Sequence, residues 1–191
     1  MATVTIIGTG NMGQAIAKLA ESGGYAVQAL DTSSADQAVN GDIVVLAVPH
    51  PAVAEVLSTR GDSLAGRIVV DITNPVDFTT FDDLVVPADS SKAADIAAQL
   101  PQSRVVKAFN TNFAATLASG QVGDATTTVL IAGDDAEAKG ALAEVVTSGG
   151  LNAVDVGSLK RARELEALGF LQISLAAAEK LPWTGGFAAV G

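Results

Sequence analysis

Apolar residues fall along this chain in two textures. Short runs rich in Val, Ile and Leu are apolar almost without a break, which is how strands read when both sheet faces are covered. They predict strands over 3–7, 26–30, 43–47, 68–71, 104–108, 127–132 and 153–156. Between them lie Ala-rich stretches with apolar positions three and four apart, predicting helices over 12–22, 52–59, 92–100 and 136–148. The fourth opens on Asp134-Asp135-Ala136-Glu137 and stops at Gly149-Gly150, a capped start and a glycine end. A last helical pattern covers 158–181, with Leu165, Leu168, Leu171, Leu175 and Ala178 at the same spacing. Strands alternating with helices imply right-handed crossovers and a doubly wound, mainly parallel α/β sheet.

Two places break the rhythm. Only 12 residues, Asp31 to Asp42, separate the second and third strands, so the second crossover helix is shortened or missing. Residues 74–91 carry Pro75, Pro87 and several Asp and Thr, and predict a long loop of the kind that often serves function. The length of 191 residues fits one domain with a small appendage. The expected division is a dinucleotide-binding unit over 1–157 and a C-terminal helix and tail over 158–191.

Composition narrows the chemistry. There is no cysteine, which removes disulfides, thiolate metal sites and a Cys nucleophile. A single histidine, His50, removes multi-histidine metal centres, and no metal site is expected. The net charge of −10 disfavours nucleic acid and anionic membrane as partners. No apolar run of about 18 residues is present, and Met1-Ala2-Thr3-Val4 lacks a basic leader, so a cytoplasmic protein is expected.

The strongest motif is Gly8-Thr9-Gly10-Asn11-Met12-Gly13, placed between the first strand and the first helix. In this setting the first glycine makes a tight turn, the second lets backbone approach a pyrophosphate, and the third packs helix on strand. The helix N-terminus then offers free N–H groups to the phosphates. Asp31 closes the next strand, where a carboxylate accepts hydrogen bonds from the adenosine ribose of NAD and repels the extra phosphate of NADP. No Arg or Lys lies between Lys18 and Arg60, although Thr32, Ser33 and Ser34 could donate to a phosphate. These residues favour NAD; the competing role for Asp31 is a turn or helix cap.

Further candidates end the later strands, where open α/β sheets bind ligands. Ala47-Val48-Pro49-His50-Pro51 forms a stiff wall in which His50 is either an acid or base or a structural turn residue. In Asp71-Ile72-Thr73-Asn74-Pro75, the Thr73 hydroxyl and the Asn74 amide could bind ribose or the carboxamide, or simply make an Asn-Pro turn. In Val106-Lys107-Ala108-Phe109-Asn110-Thr111-Asn112, Lys107 and Asn110 could polarise a substrate or merely end a strand.

Taken together, the glycine loop, Val48-Pro49, Asp71 to Pro75, Val106 to Thr111 and Arg161-Ala162-Arg163-Glu164-Leu165-Glu166 resemble the NADP oxidoreductases dependent on coenzyme F420, a deazaflavin. The chain also resembles small bacterial dinucleotide-binding reductases and the nucleotide-binding domain of metalloreductases. The resemblance implies a Rossmann domain with a small C-terminal part and hydride exchange between nicotinamide and a deazaflavin or flavin-like ring. Such an exchange needs no strong protein acid or base, only two rings held face to face. By the same resemblance Thr9, Asn11, Met12, Pro49 and Asn74 contact the nucleotide, Phe109 and Pro75 belong to its site, and Asn110, Thr111 and Phe113 lie near the second ring. The family's basic residues after the second strand are absent here, where Asp31-Thr32-Ser33 stands instead. Two other functions stay open: a reductase of a small imine or carbonyl, and a non-catalytic dinucleotide-binding module. The C-terminal helix could pack on a second subunit to form a homodimer, or on its own sheet.

Overall fold

The structure, a computed structural model, describes residues 3–34 and 36–190. The chain runs β1 (Thr3–Ile7), α1 (Asn11–Ser22), β2 (Ala26–Leu30), β3 (Ile43–Leu46), α2 (Val53–Arg60), β4 (Ile68–Asp71), α3 (Lys92–Gln99), β5 (Arg104–Lys107), α4 (Ala114–Ser119), β6 (Gln121–Val122), β7 (Ala125–Thr126), β8 (Thr128–Gly133), α5 (Ala136–Ser148), β9 (Asn152–Gly157) and α6 (Ala162–Ala177). Seven strands form one sheet in the order β2-β1-β3-β4-β5-β8-β9. Neighbours are parallel except β5 and β8.

Burial follows from the run of apolar residues. The four residues of β3 and the four of β4 are all buried, because their alternating side chains feed two separate cores. Ile43 and Val45 face α1 and α5, against Ile16, Leu19 and Leu142. Val44 and Leu46 face α2 and α3, against Val53, Leu57 and Ile96. Helices on both faces make the arrangement doubly wound.

The short second crossover is real. After β2 the chain makes one 3-10 turn, Thr32–Ser34, and then passes under the start of β1 to reach β3 on its other side. It crosses so closely that a Cβ on Gly41 would lie 2.6 Å from the Thr3 carbonyl oxygen and 2.6 Å from the Thr5 amide nitrogen. The reversal of strand order therefore falls between β1 and β3, and the crevice of an open α/β sheet opens at that point.

Three expectations need correction. The C-terminal helix spans 162–177 rather than 158–181. A 3-10 turn over Leu159–Arg161 precedes it, and a Schellman closure ends it, with Lys180 N–H donating to Leu175 O at 2.8 Å and Glu179 at φ +57°. Between β5 and β8 lie α4 and the hairpin β6–β7, too short for any periodicity to announce them. Of the expected cap pair, Asp135 caps α5 by accepting from Ala138 N–H at 2.7 Å, whereas Asp134 accepts from Leu159 N–H at 2.9 Å and anchors the C-terminal segment.

Candidate functional site

The glycine loop follows β1 directly. Gly8 takes φ +113°, a conformation L side chains rarely adopt, and donates its N–H to Leu30 O at 2.8 Å. A Cβ there would overlap the Ala47 carbonyl, so the loop lies flat against the end of β3. A Cβ on Gly13 would overlap the Gly8 carbonyl, so α1 presses on the loop from the other side. Gly10 differs from both. It is the N-cap of α1, and a Cβ there would meet no protein atom within 4 Å. The start of α1 has no side-chain cap and no acidic residue in its first turn. Its unpaired N–H groups thus open on free space, the fit a pyrophosphate requires.

A cavity of about 380 Å³ lies on the β2 side of this loop. Gly8, Thr9, Gly10, Asp31, Ala47, Val48 and Pro49 line it, with α2 supplying the opposite wall. Asp31 forms a closed turn with the residues after it. Its Oδ1 accepts from Ser33 N–H at 2.9 Å, Ser33 Oγ–H at 2.6 Å and Ser34 Oγ–H at 3.0 Å. These bonds hold its carboxyl below the ordinary aspartate range. The capping role weighed above is therefore present, and it consumes the donors of Ser33. Thr32 lies in the same turn, and its side chain falls outside the described structure. His50 follows Pro49 in a 3-10 turn and is half-buried, with Nδ1 lacking a partner. Burial, then the charge of Lys92, pushes its pKa down, so the imidazole is neutral at pH 7.

A second cavity, of about 420 Å³, lies on the far side of the loop. Asn11 and Met12 form its near wall, Ile72 and Asn74 come from the end of β4, and Asn110, Asn112 and Phe113 follow β5. Two carboxamides make the floor. Asn74 Nδ2 donates to the Asn110 carbonyl at 2.8 Å, and Asn110 Nδ2 donates to Asn74 Oδ1 at 2.9 Å and to Leu165 O at 2.8 Å. Phe109, fully buried, takes φ +62°, an uncommon backbone state for a large residue, and this turn aims Asn110 at Asn74. Oδ1 of Asn110 and Oδ1 of Asn112 are buried without donors, as is the hydroxyl of Thr73. Trp183, half exposed, packs on Phe113 with ring centroids 4.9 Å apart and closes the outer rim. Thr111 points elsewhere, into a small cleft beside Phe187 of the tail. Pro75 is buried behind Asn74, and its carbonyl accepts from Val85 N–H at 2.7 Å, starting the 74–91 loop.

Lys107 does not reach either cavity. It is fully buried, and its ammonium donates to Asp71 Oδ2 at 2.8 Å, Thr73 O at 2.5 Å and Glu166 Oε1 at 2.9 Å. With all three donors spent and no route to solvent, it is a structural pin rather than a group that polarises a substrate. Glu166, from α6, also accepts from Lys92 N–H at 2.9 Å at the start of α3. One cation thus ties β4, β5, α3 and α6 together behind the second cavity.

Glycine decides the closeness of α6. A Cβ on Gly169 would overlap Asn74 Oδ1 and lie 2.9 Å from Asn110 Nδ2. Gly169→Ala is expected to break the carboxamide pair and cost about 1–3 kcal/mol by overpacking. Urea denaturation measures the loss, and unchanged stability would mean that α6 can slide away freely. Asn112 lay in the segment that ends the fifth strand without being given a role, and Trp183, Arg60 and Gly169 were not legible as site residues in the sequence. These last three belong to no motif, and each arrives from an element distant in the chain.

The family model described as NADP oxidoreductase coenzyme F420-dependent matches residues 24–75. The F420-dependent NADP reductase of Methanocaldococcus jannaschii is 30% identical over 154 residues, covering 78% of this chain and 69% of the reductase. Metalloreductase STEAP3 of Rattus norvegicus is 38% identical over 112 residues, 59% of this chain but only 22% of that protein. A solved structure from Arthrobacter sp. fb24, provisionally assigned as an F420-dependent NADP reductase, superposes with a TM-score of 0.83 at 25% identity and covers 98% of this chain and 99% of the other.

Proposed function

This chain belongs to the family of coenzyme F420-dependent NADP oxidoreductases, and from that premise we propose that it moves a hydride between a nicotinamide dinucleotide and a planar second ring. The observation that carries the reading is the position of the glycine loop between two cavities at the strand-order reversal. One cavity carries the Asp31 carboxylate at the end of β2, and the other carries the paired carboxamides and the Phe113–Trp183 rim.

The backbone of Gly8 to Gly13 and the start of α1 hold the pyrophosphate. Asp31 and the turn after it face the ribose, and Ala47, Val48 and Pro49 form the wall beside it. On the other side, Asn74 and Asn110 place amide groups against the nicotinamide, and Phe113 with Trp183 offers an aromatic face to the second ring. A bound reduced nicotinamide supplies the hydride, and a deazaflavin or flavin ring accepts it. No side chain in the second cavity is a strong acid or base among the described residues, which suits a transfer that needs orientation rather than protonation. The amides and apolar walls exclude water and fix the ring plane.

Anaerobic rapid mixing tests this reading. Protein, NADPH and oxidised coenzyme F420 are combined, and the absorbance of both rings is followed. Coupled loss of the two signals is the expected result, with NADH and free flavin run as comparisons. Binding of NADPH without transfer to either acceptor would leave a binding module, and the proposed reaction would fall.

A further inference from the structure

The sequence offers no cation after β2, yet the folded chain brings one to that place from elsewhere. Arg60 is the last residue of α2, and it is the one cation among the described residues lining the cavity that holds Gly8, Gly10 and Asp31. Its Nη1 donates to Gln37 O at 2.8 Å and its Nη2 donates to Ser34 O. A guanidinium has five N–H donors, so three remain. Among the described residues Arg60 pairs with no carboxylate, although Glu55 and Asp31 line the same cavity. The backbone bonds orient the planar fork beside the turn that follows β2.

That turn is itself informative. Ser33 N–H, Ser33 Oγ–H and Ser34 Oγ–H converge on one point, as donors do around a bound anion, and the point is occupied by Asp31 Oδ1. The chain fills its own nest with its own carboxylate. A phosphate arriving there finds these serine donors taken and the guanidinium free.

Resting on the dinucleotide reading above, we propose that Arg60 determines cofactor choice by receiving the 2′-phosphate of NADP. The selecting cation comes from the end of α2 instead of from the residues after β2. Asp31 shapes the turn and keeps its negative charge, so the Arg60 guanidinium has to offset that repulsion as well as bind the phosphate.

Calorimetric titration of the whole chain with 2′,5′-ADP and with 5′-AMP tests this. These fragments differ only by the 2′-phosphate. Wild type is expected to bind 2′,5′-ADP roughly ten- to a hundredfold more tightly, the ratio a charge-assisted bond supplies. Arg60→Gln is expected to abolish that preference and leave 5′-AMP within about twofold. Arg60→Lys keeps the charge without the fork and is expected to retain part of the preference, which also guards against poor folding of the glutamine variant. If both ligands weaken equally in Arg60→Gln, the residue only staples the 34–37 loop and the proposal is wrong. Equal binding of both fragments by wild type overturns it too, with the dinucleotide site left standing. If wild type binds neither fragment, the dinucleotide reading itself falls.

Discussion

Lys107→Met is expected to lower the unfolding free energy by about 3–5 kcal/mol at neutral pH, measured by urea denaturation. The ammonium is fully buried and bridges two buried carboxylates, Asp71 and Glu166, setting one positive charge against both. Methionine fills a similar volume but leaves both acids facing each other in an apolar interior. The loss should depend on pH. Burial already holds the Glu166 carboxyl above its usual range, while the charge and hydrogen bond of Lys107 oppose that rise. Removing Lys107 raises the folded pKa further above the unfolded value. A carboxyl so raised penalises the fold where it is ionised, and the penalty disappears once pH falls below its unfolded pKa, about 4. The gap between variant and wild type should therefore narrow as pH falls from 7 toward 4. A loss that stays constant across that range, or one under about 1 kcal/mol, would show that Lys107 does not offset the charge of these acids.

The second large effect separates binding from folding within one loop. Gly10→Ala adds a methyl where no protein atom lies within 4 Å, so stability should stay within about 1 kcal/mol, the scale of an N-cap change. The methyl projects into the space assigned to the pyrophosphate. Displacing a well-packed group costs about 1–3 kcal/mol, which is roughly five- to a hundredfold in affinity. Gly13→Ala places its methyl on the Gly8 carbonyl and must push α1 off the loop, so it should lose stability as well as affinity. Thermal unfolding and NADPH titration on both variants read the contrast. If Gly10→Ala binds NADPH like the wild type, the pyrophosphate does not lie against this loop.

Much of the site was legible because it rests on local rules. A glycine that must take a positive φ, and one that must let a helix touch a turn, are demanded by the backbone within a few residues. The short second crossover was also readable, since 12 residues cannot hold two connections and a full helix. Asp31 lines the cavity beside the glycine loop, and in the sequence it carried two readings, ribose acceptor or cap. The structure shows the cap geometry, because Ser33 and Ser34 stand close enough in the chain to reach its carboxylate.

Lys107 shows where sequence reasoning fails. A lysine ending a strand beside a ligand crevice reads as chemistry, and only the fold reveals that Glu166, 59 positions away, takes its charge. Arg60 fails in the opposite sense. Counting residues after β2 found no cation, because the one that serves that turn comes from another element's end.

Sequence by itself determined the seven strands of the main sheet, most of the helices, the doubly wound plan, the glycine loop and the absence of cysteine and multi-histidine chemistry. Each of these follows from period, chain reach and residue inventory, which are local or additive properties. Only the tertiary structure decided which charges are spent and which are free, how α6 and Trp183 close the second cavity, and that Asn74 and Asn110 meet. Those outcomes depend on contacts between residues far apart in the chain. Electrostatic and hydrogen-bond roles are set by the nearest partner in space, and a linear pattern holds no record of that distance.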